Sequence, residues 1–252
     1  MSAVLTGVRY DDVRRALDTV VDPELDEPVT DLGFVASVVV DGGRVEVHLR
    51  LPTSFCSPNF AWLMVSDAYD AVSALEGVER VVVELDDHHD SDLINRGLAA
   101  GAGYRGTFKH EALDNLDELR ATFQRKAHTA AMERALTAYL RADPTRTEAD
   151  LADVRLGDLP EDPGTEALVR RRATLGLPVD ADAPVLLNDD GTRPTREQAS
   201  PVLRRARSVR ISVDGNAHFC RGLLATRYPG AEDDQVPRAD DAHPLLPLSV
   251  LS

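Results

Sequence analysis

The chain has 252 residues, a formal net charge of −15 and 43% hydrophobic residues. This length corresponds to one large domain or two small ones, and the apolar fraction is sufficient for a packed core, which excludes a fully disordered chain. The acidic charge argues against nucleic acid and anionic membrane surfaces as partners, and no apolar run approaches the roughly 18 residues that a membrane-spanning helix needs.

The chain contains two cysteines, Cys56 and Cys220, which lie far apart in the sequence. The sequence allows one long-range disulfide between them, but two cysteines cannot form a disulfide-rich scaffold. The first residues lack the apolar core of a signal peptide. We therefore expect a cytoplasmic protein with two free thiols.

The first third of the chain has the pattern of a small α+β domain. Residues 11–20 have apolar side chains at helical spacing, and this helix ends before Pro23. Two segments of mainly alternating or β-branched residues, 34–40 and 44–51, flank the turn sequence Asp41-Gly42-Gly43 and predict a hairpin.

A second helix and a third strand follow the hairpin. The apolar spacing over residues 59–75 predicts a helix that ends before Gly77, and residues 78–85 predict a strand. Because a helix connects the second and third strands, the third strand is able to lie parallel to its neighbour. The sequence therefore predicts an α-β-β-α-β domain over residues 8–88, with a three-stranded mixed sheet and two helices on one face.

The remainder of the chain predicts mainly helical structure. We interpret residues 89–141 as a linker and a long helix, whose helical pattern covers 111–141 and includes Leu113. A helix this long usually packs against another segment, a client or a second copy. Residues 142–228 predict a mainly helical, partly irregular region, and residues 229–252 predict a flexible acidic tail.

Several changes of pattern occur inside that C-terminal region. Helices are predicted near 164–175 and over 195–207. The alternation over 208–213 predicts a strand, residues 214–216 predict a turn, and residues 218–227 predict a short final helix.

Cys56 lies in a loop of Ser, Thr and Pro residues immediately before the predicted helix 59–75. Free backbone N–H groups and the positive end of the dipole at a helix start favour a thiolate there. A thiolate is the form of cysteine that ligates soft metals. The alternative is that Cys56 is a small buried apolar side chain at the helix entry.

Two short motifs and the cysteine loop together resemble a known family. They are Asp22-Pro23-Glu24, Asp31-Leu32-Gly33, and Thr53 with Cys56. Residues 8–88 resemble the iron–sulfur cluster assembly domain of SufT-like and PaaD-like proteins and of eukaryotic cytosolic iron–sulfur targeting factors. The family commonly has Cys followed directly by Pro, whereas here Ser57 separates Cys56 from Pro58.

The resemblance implies a factor that is not an enzyme and that handles iron or an iron–sulfur cluster transiently, with Cys56 as the ligand. It implies supporting or structural roles for the other motif residues: Asp22, Glu24, Asp31 and Thr53 beside the site, and Pro23, Gly33 and Pro58 in its backbone. The residues themselves also allow simpler roles. Asp22 before proline is typical of a loop-shaping Asx turn, and Thr53 is typical of a hydroxyl that bonds loop backbone.

Other candidate metal ligands lie outside these motifs. His88 and His89 belong to a run of carboxylates and histidines that suits a divalent ion. A solvated turn is the favoured interpretation, because adjacent histidines in an extended segment point to opposite faces and Ser91 is a suitable N-cap. His218 and Cys220 share a side if the segment is a strand and diverge if it is a helix, and Cys220 either folds back to Cys56 or packs as an apolar side chain.

The leading hypothesis is a maturation factor that delivers iron or a cluster to a client metalloenzyme, for which relatives suggest a multicomponent di-iron oxygenase. The alternative is an accessory subunit that binds such an enzyme through its long helix and C-terminal region without handling metal. Residues 111–141 are also a candidate surface for a homo-oligomer. A cysteine hydrolase with His48 as base is disfavoured because no third partner is evident.

Overall fold

In the computed structural model, residues 7–109 and 116–237 are described. They divide into two compact units. The first unit contains the residues up to Leu119 together with Asn216–Val236, and the second contains Arg120–Gly215. The C-terminal part of the last helix is therefore described with the first unit.

The first unit begins with helix α1, Tyr10–Leu17, and two short antiparallel strands, β1 and β2, Val21–Asp22 and Glu27–Pro28. Its main elements follow in chain order: β3 Val35–Asp41, β4 Arg44–Arg50, α2 Pro58–Ser73, β5 Arg80–Asp86, α3 Ser91–Ala99 and α4 Gly103–Phe108. The order of the main elements confirms the predicted α+β domain.

The three longer strands form a mixed sheet in the order β3-β4-β5. Strands β3 and β4 are antiparallel around the Gly42 turn, where φ is 58°. Strands β4 and β5 are parallel, with Val47 opposite Val83, because helix α2 carries the chain back across the sheet. This register confirms the mixed sheet that the sequence predicts.

The core of this unit lies between the sheet and the helices. Val45, Val47 and Leu49 of β4 are buried on one face of the sheet, and their alternation with half-buried polar residues is the pattern that the sequence displayed. Helices α1 and α2 contact each other and the sheet, and they bury apolar residues such as Leu17 and Val65. Full burial of each such side chain stabilises the fold by about 1.5–3 kcal/mol.

The second unit is helical, with irregular connections. Helix α5 covers Leu116–Arg141, α6 covers Pro163–Thr174 and α7 covers Arg196–Arg227, and 3-10 helices occupy Glu148–Ala152 and Leu156–Asp158. The core of the unit joins α5 to the following segments through buried residues that include Leu136, Leu151, Leu168, Val185 and Leu203. The predicted long helix is present as far as the structure describes it, and its residues 111–115, with Leu113, lie outside the described residues.

The strand predicted over 208–213 and the turn over 214–216 are wrong, because both segments lie inside helix α7. The buried residues of this stretch are Ala206, Val213, Ala217 and Leu224, whose separations of 7, 4 and 7 are helical. The strand prediction failed because it treated Ile211 as part of a buried face, whereas Ile211 is 57% exposed. Gly215 inside the helix costs about 1 kcal/mol relative to Ala.

The predicted tail begins at residue 229, and its first part is described. Ala231–Asp234 form a 3-10 helix with Ala231 buried, and the N–H of Val236 donates to the carbonyl oxygen of Asp31 at 2.8 Å. Residues 238–252 of that prediction lie outside the described residues. Among the residues described, no helix combines the length and the apolar composition needed to cross a membrane.

Candidate functional site

The loop that contains Cys56 connects β4 to α2. Thr53 shapes it, since the Thr53 hydroxyl accepts a hydrogen bond from the N–H of Phe55 at 3.2 Å. The same hydroxyl lies 3.5 Å from the Cys56 Sγ. The hydroxyl and the thiol are each able to donate, so either atom supplies the proton of this contact. The structure thus brings together two residues that the sequence motif singled out.

Helix α2 begins directly after this loop. Pro58 is its first residue and Ser57 its N-cap, so Cys56 precedes the cap by one position. Proline is well suited to this position because it has no N–H to leave unpaired and its φ is already helical. The positive end of the helix dipole therefore lies beside the half-buried Cys56, as the sequence predicts.

His88 supports the cysteine loop from the turn after β5. Its Nδ1 accepts a hydrogen bond from the N–H of Asp90 at 3.1 Å, so the ring proton is on Nε2. That Nε2 donates to the carbonyl oxygen of Cys56 at 2.8 Å. With both nitrogens engaged and the ring buried, His88 holds the loop backbone in this arrangement.

His89 and Ser91 complete this turn. The N–H of His89 donates to the carbonyl oxygen of Ser54 at 2.9 Å, and its exposed ring lies 5.8 Å from the ring of Phe55, which is 81% exposed. The sequence predicts Ser91 as the N-cap of α3, and this is wrong: Asp90 is the N-cap and Ser91 is the first residue of the helix. Its hydroxyl instead accepts from the N–H of His88 at 2.9 Å, which links the turn to the start of α3.

Asp22 is the last residue of β1, and Glu24 lies in the turn between β1 and β2. The Asp22 carboxylate accepts from the N–H groups of Glu24 and Leu25 at 2.8 and 2.9 Å, which is the predicted Asx-type turn before Pro23. Burial raises the pKa of Asp22 to about 7, although these two hydrogen bonds oppose the shift. Asp22 is therefore a buried carboxyl group that is partly protonated near neutral pH.

Asp31 and Gly33 form a turn that binds the end of the described chain. Burial, followed by the negative charges of Asp18 and Glu27, raises the pKa of Asp31. Gly33 has a φ of +75°, and a Cβ added there would lie 3.1 Å from the carbonyl oxygen of Ala231. This close approach explains the glycine.

Helix α7 contributes residues that lie beyond the predicted α-β-β-α-β domain. Asn216 donates to the carboxylate of Glu24 at 3.2 Å. Arg227 donates to the Ser54 hydroxyl at 2.8 Å and to the carbonyl oxygen of Leu51 at 3.1 Å. The C-terminal part of α7 is therefore bound to both loops that carry the sequence motifs, an arrangement that no local pattern indicated.

Cys220 lies on this part of α7, between Asn216 and Arg227. Burial, followed by the charges of Asp22, Cys56 and Glu24, raises the pKa of the Cys220 thiol to about 12. His218, two residues earlier, is exposed, so the helix directs these two candidate ligands apart. The sequence had left this choice open, and the helical conformation decides it.

A second group of polar residues lies on the sheet. His48, Glu84 and Asp86 place one ligand atom each within 4.8 Å of one another, and they are the one such group found among the described residues. The hydrogen bond to Asp86 raises the pKa of His48, with Nδ1 lying 2.9 Å from the Asp86 carboxylate. Sequence reasoning missed this group, and the signal that could have found it is the parallel pairing of the predicted strands 44–51 and 78–85.

Comparison with known proteins identifies the domain. A family model described as iron–sulfur cluster assembly protein matches residues 10–85. An uncharacterized protein of Methanocaldococcus jannaschii is 37% identical over 92 residues, which are 36% of this chain and 95% of that relative. Through the domain that carries Cys56, the chain belongs to the iron–sulfur cluster assembly protein family.

Proposed function

We propose that this protein is a non-catalytic factor that assembles or delivers iron or an iron–sulfur cluster to a client metalloenzyme, with Cys56 as a transient ligand. The observation that carries the proposal is the position of the Cys56 sulfur, 3.5 Å from the Thr53 hydroxyl and next to the start of α2. Cysteine sulfur is the ligand through which proteins hold iron–sulfur clusters, and Cys56 lies directly before the N-cap of α2.

The surroundings of Cys56 suit a cargo that must leave again. Cys56 is half-buried, so part of this residue is exposed to a client. Iron–sulfur clusters in stable sites usually have four protein ligands. A carrier that supplies fewer ligands leaves positions for the cysteines of the acceptor, and the His88 contact keeps the loop in place during such an exchange.

The proposal also names a class of client and the surface that binds it. A multicomponent di-iron oxygenase is the client class that the family resemblance suggests. Residues 111–141 are the proposed surface for the client or for a second copy. This function gives no role to nucleic acid or to a membrane.

The test is transfer of a reconstituted cluster. The full chain is loaded anaerobically with ferrous iron and sulfide and mixed with an apo-ferredoxin, and cluster arrival is followed by visible circular dichroism. We expect Cys56→Ser to lower the transfer rate at least tenfold. Ser57→Ala is the matched control, because the Ser57 side chain makes no capping hydrogen bond and its loss leaves the thiol in place.

Full transfer by Cys56→Ser would contradict the proposal. It would favour the accessory-subunit alternative, in which the domain is a scaffold without metal handling. An equal loss in Cys56→Ser and Ser57→Ala would also contradict it, since the effect would then belong to the loop conformation.

A further inference from the structure

The C-terminal part of α7 presents one face to the two motif loops. Asn216, Cys220 and Arg227 are separated by four and seven residues, which places them on the same side of the helix. Asn216 is bound to Glu24 and Arg227 is bound to Ser54, two residues before Cys56. Cys220 therefore lies on the face of α7 that meets both loops.

The immediate surroundings of Cys220 are polar as well as apolar. Cys56 and Cys220 are both half-buried and pack against the same apolar cluster of the first unit. The charges that act on the Cys220 thiol are those of Asp22, Cys56, Glu24 and Arg221. Cys220 therefore packs in the same part of the first unit as the cysteine of the family motif.

These contacts make Cys220 a candidate for a second ligand of the iron cargo, beside Cys56. We propose that Cys220 is a thiolate ligand that acts together with Cys56, so that the chain holds its iron cargo through two sulfurs, one from the family domain and one from helix α7. The inference rests on the proposed function and adds the second ligand to it. The family match ends at residue 85, so Cys220 is a ligand that this chain adds to the domain.

The chemistry of the pair suits iron in thiolate coordination. Iron–sulfur clusters and soft or borderline divalent ions take cysteine sulfur as ligand, and two thiolates supply half of a tetrahedral set. The remaining positions stay available to sulfide or to the cysteines of an acceptor.

Cobalt(II) is the probe, because thiolate ligands give cobalt a charge-transfer band in the near ultraviolet whose intensity rises with the number of sulfurs. We expect the full chain to show this band, Cys220→Ser and Cys56→Ser each to halve its intensity per chain, and the double variant to abolish it. His218→Ala is the matched control and should leave the band unchanged, since His218 is exposed on the same helix. Cobalt bound at His48, Glu84 and Asp86 has no sulfur ligand and adds nothing to this band.

The outcomes separate the two proposals. An unchanged band in Cys220→Ser with loss of the band in Cys56→Ser would overturn the second ligand and leave Cys56 as the carrier. Absence of the band in the unmodified chain would also overturn the inference, while the cluster-transfer assay decides the proposed function independently.

A measurement on the unmodified chain covers the case in which a variant fails to fold. Both cysteines are labelled with N-ethylmaleimide and quantified by peptide mass analysis. Without metal, Cys56 should react faster than Cys220, whose burial disfavours the thiolate. Cobalt should slow the labelling of both cysteines at least fivefold, and protection of Cys56 alone would contradict the inference.

Discussion

The two units of this protein bury ionisable groups of opposite kind. In the first unit, burial raises the pKa of Asp22 to about 7. In the second unit, burial, followed by the charges of Arg172 and Arg171, lowers the pKa of His128 to about 4. Both groups favour the neutral form in the folded state, but an acid and a base reach that form at opposite ends of the pH range. The two units should therefore respond to pH in opposite directions.

Both units also pair a buried carboxylate with arginine. In the first unit the buried carboxylate of Glu27 pairs with Arg221 at 3.0 Å. In the second unit the fully buried Glu133 carboxylate pairs with two arginines, Arg207 at 3.0 Å and Arg210 at 2.5 Å. Buried carboxylates of this kind are costly when their partners are removed. The experiments below test this comparison, from the largest expected effect to the smallest.

The largest effect should come from removing both arginines of Glu133. The Arg207→Ala, Arg210→Ala double variant leaves the buried carboxylate with the Thr137 hydroxyl, which donates to it at 2.8 Å. Loss of the partners of a buried charge costs about 3–5 kcal/mol. We expect the free energy of unfolding of the second unit to fall by that amount, as measured by hydrogen exchange of the α5 amides, with little change in the β4 amides.

Glu133→Gln in the same background is the control for this experiment. It removes the unpaired charge and keeps an acceptor for Thr137, so it should restore much of the lost stability. A double variant as stable as the unmodified chain, or one that Glu133→Gln destabilises further, would show that this carboxylate needs no compensation.

The next effect concerns Asp22 in the metal-free protein. The pKa of Asp22 is about 7 in the folded state, against an ordinary value of 3.8. Between these two pH values the folded state therefore holds the proton more tightly than the unfolded state. The stability that protonated Asp22 contributes to the fold is fully present below about pH 4 and is lost as the pH rises through about 7. This contribution to the free energy of unfolding is about 4 kcal/mol at most. We expect urea unfolding of the first unit, followed by the fluorescence of Trp62, to become easier between pH 5 and 8.

Asp22→Asn should remove this pH dependence, because the amide keeps the oxygen that accepts from Glu24 and Leu25 and does not ionise. Asp70→Asn, at an exposed position of α2, should leave it unchanged. Parallel stability curves for the unmodified chain and Asp22→Asn would contradict the prediction. Trp62 is the single tryptophan of the chain, so the fluorescence signal reports the first unit.

The smallest effect concerns His128, and its sign is reversed. Its pKa is about 4 in the folded state against 6.5 in its ordinary range, so the unfolded state holds the proton more tightly between these values. The stability from neutral His128 is fully present above about pH 6.5 and is lost as the pH falls towards 4, by about 3 kcal/mol at most. We expect the helices of the second unit, followed by circular dichroism at 222 nm during urea unfolding, to be less stable at pH 5 than at pH 7.

His128→Leu should abolish this acid sensitivity, because the leucine fills a buried position without an ionisable group. His218→Gln replaces an exposed histidine and serves as the control. If the acid sensitivity persists in His128→Leu, another group of the second unit is responsible for it, and the contrast with Asp22 fails.

Local sequence patterns determined much of the first unit. The alternation over 44–51 predicted β4, the spacing over 59–75 predicted α2, and the Pro-bearing loop between them placed Cys56 at a helix start, as the structure has it. These features could be predicted because a strand or helix with one buried face displays its own period in the sequence. The Thr53–Cys56 contact belongs to the same class, since its residues are three apart.

Only the tertiary structure decided how distant segments complete the site. Nothing local indicates that Asn216 binds Glu24, 192 positions away, or that Cys220 packs against the same apolar cluster as Cys56. The one continuous helix over Arg196–Arg227 was also missed, because its exposed Ile211 imitates the alternation of a strand. A sequence period records which side of an element is buried but not which element buries it, and that choice is made by the packing of the whole unit.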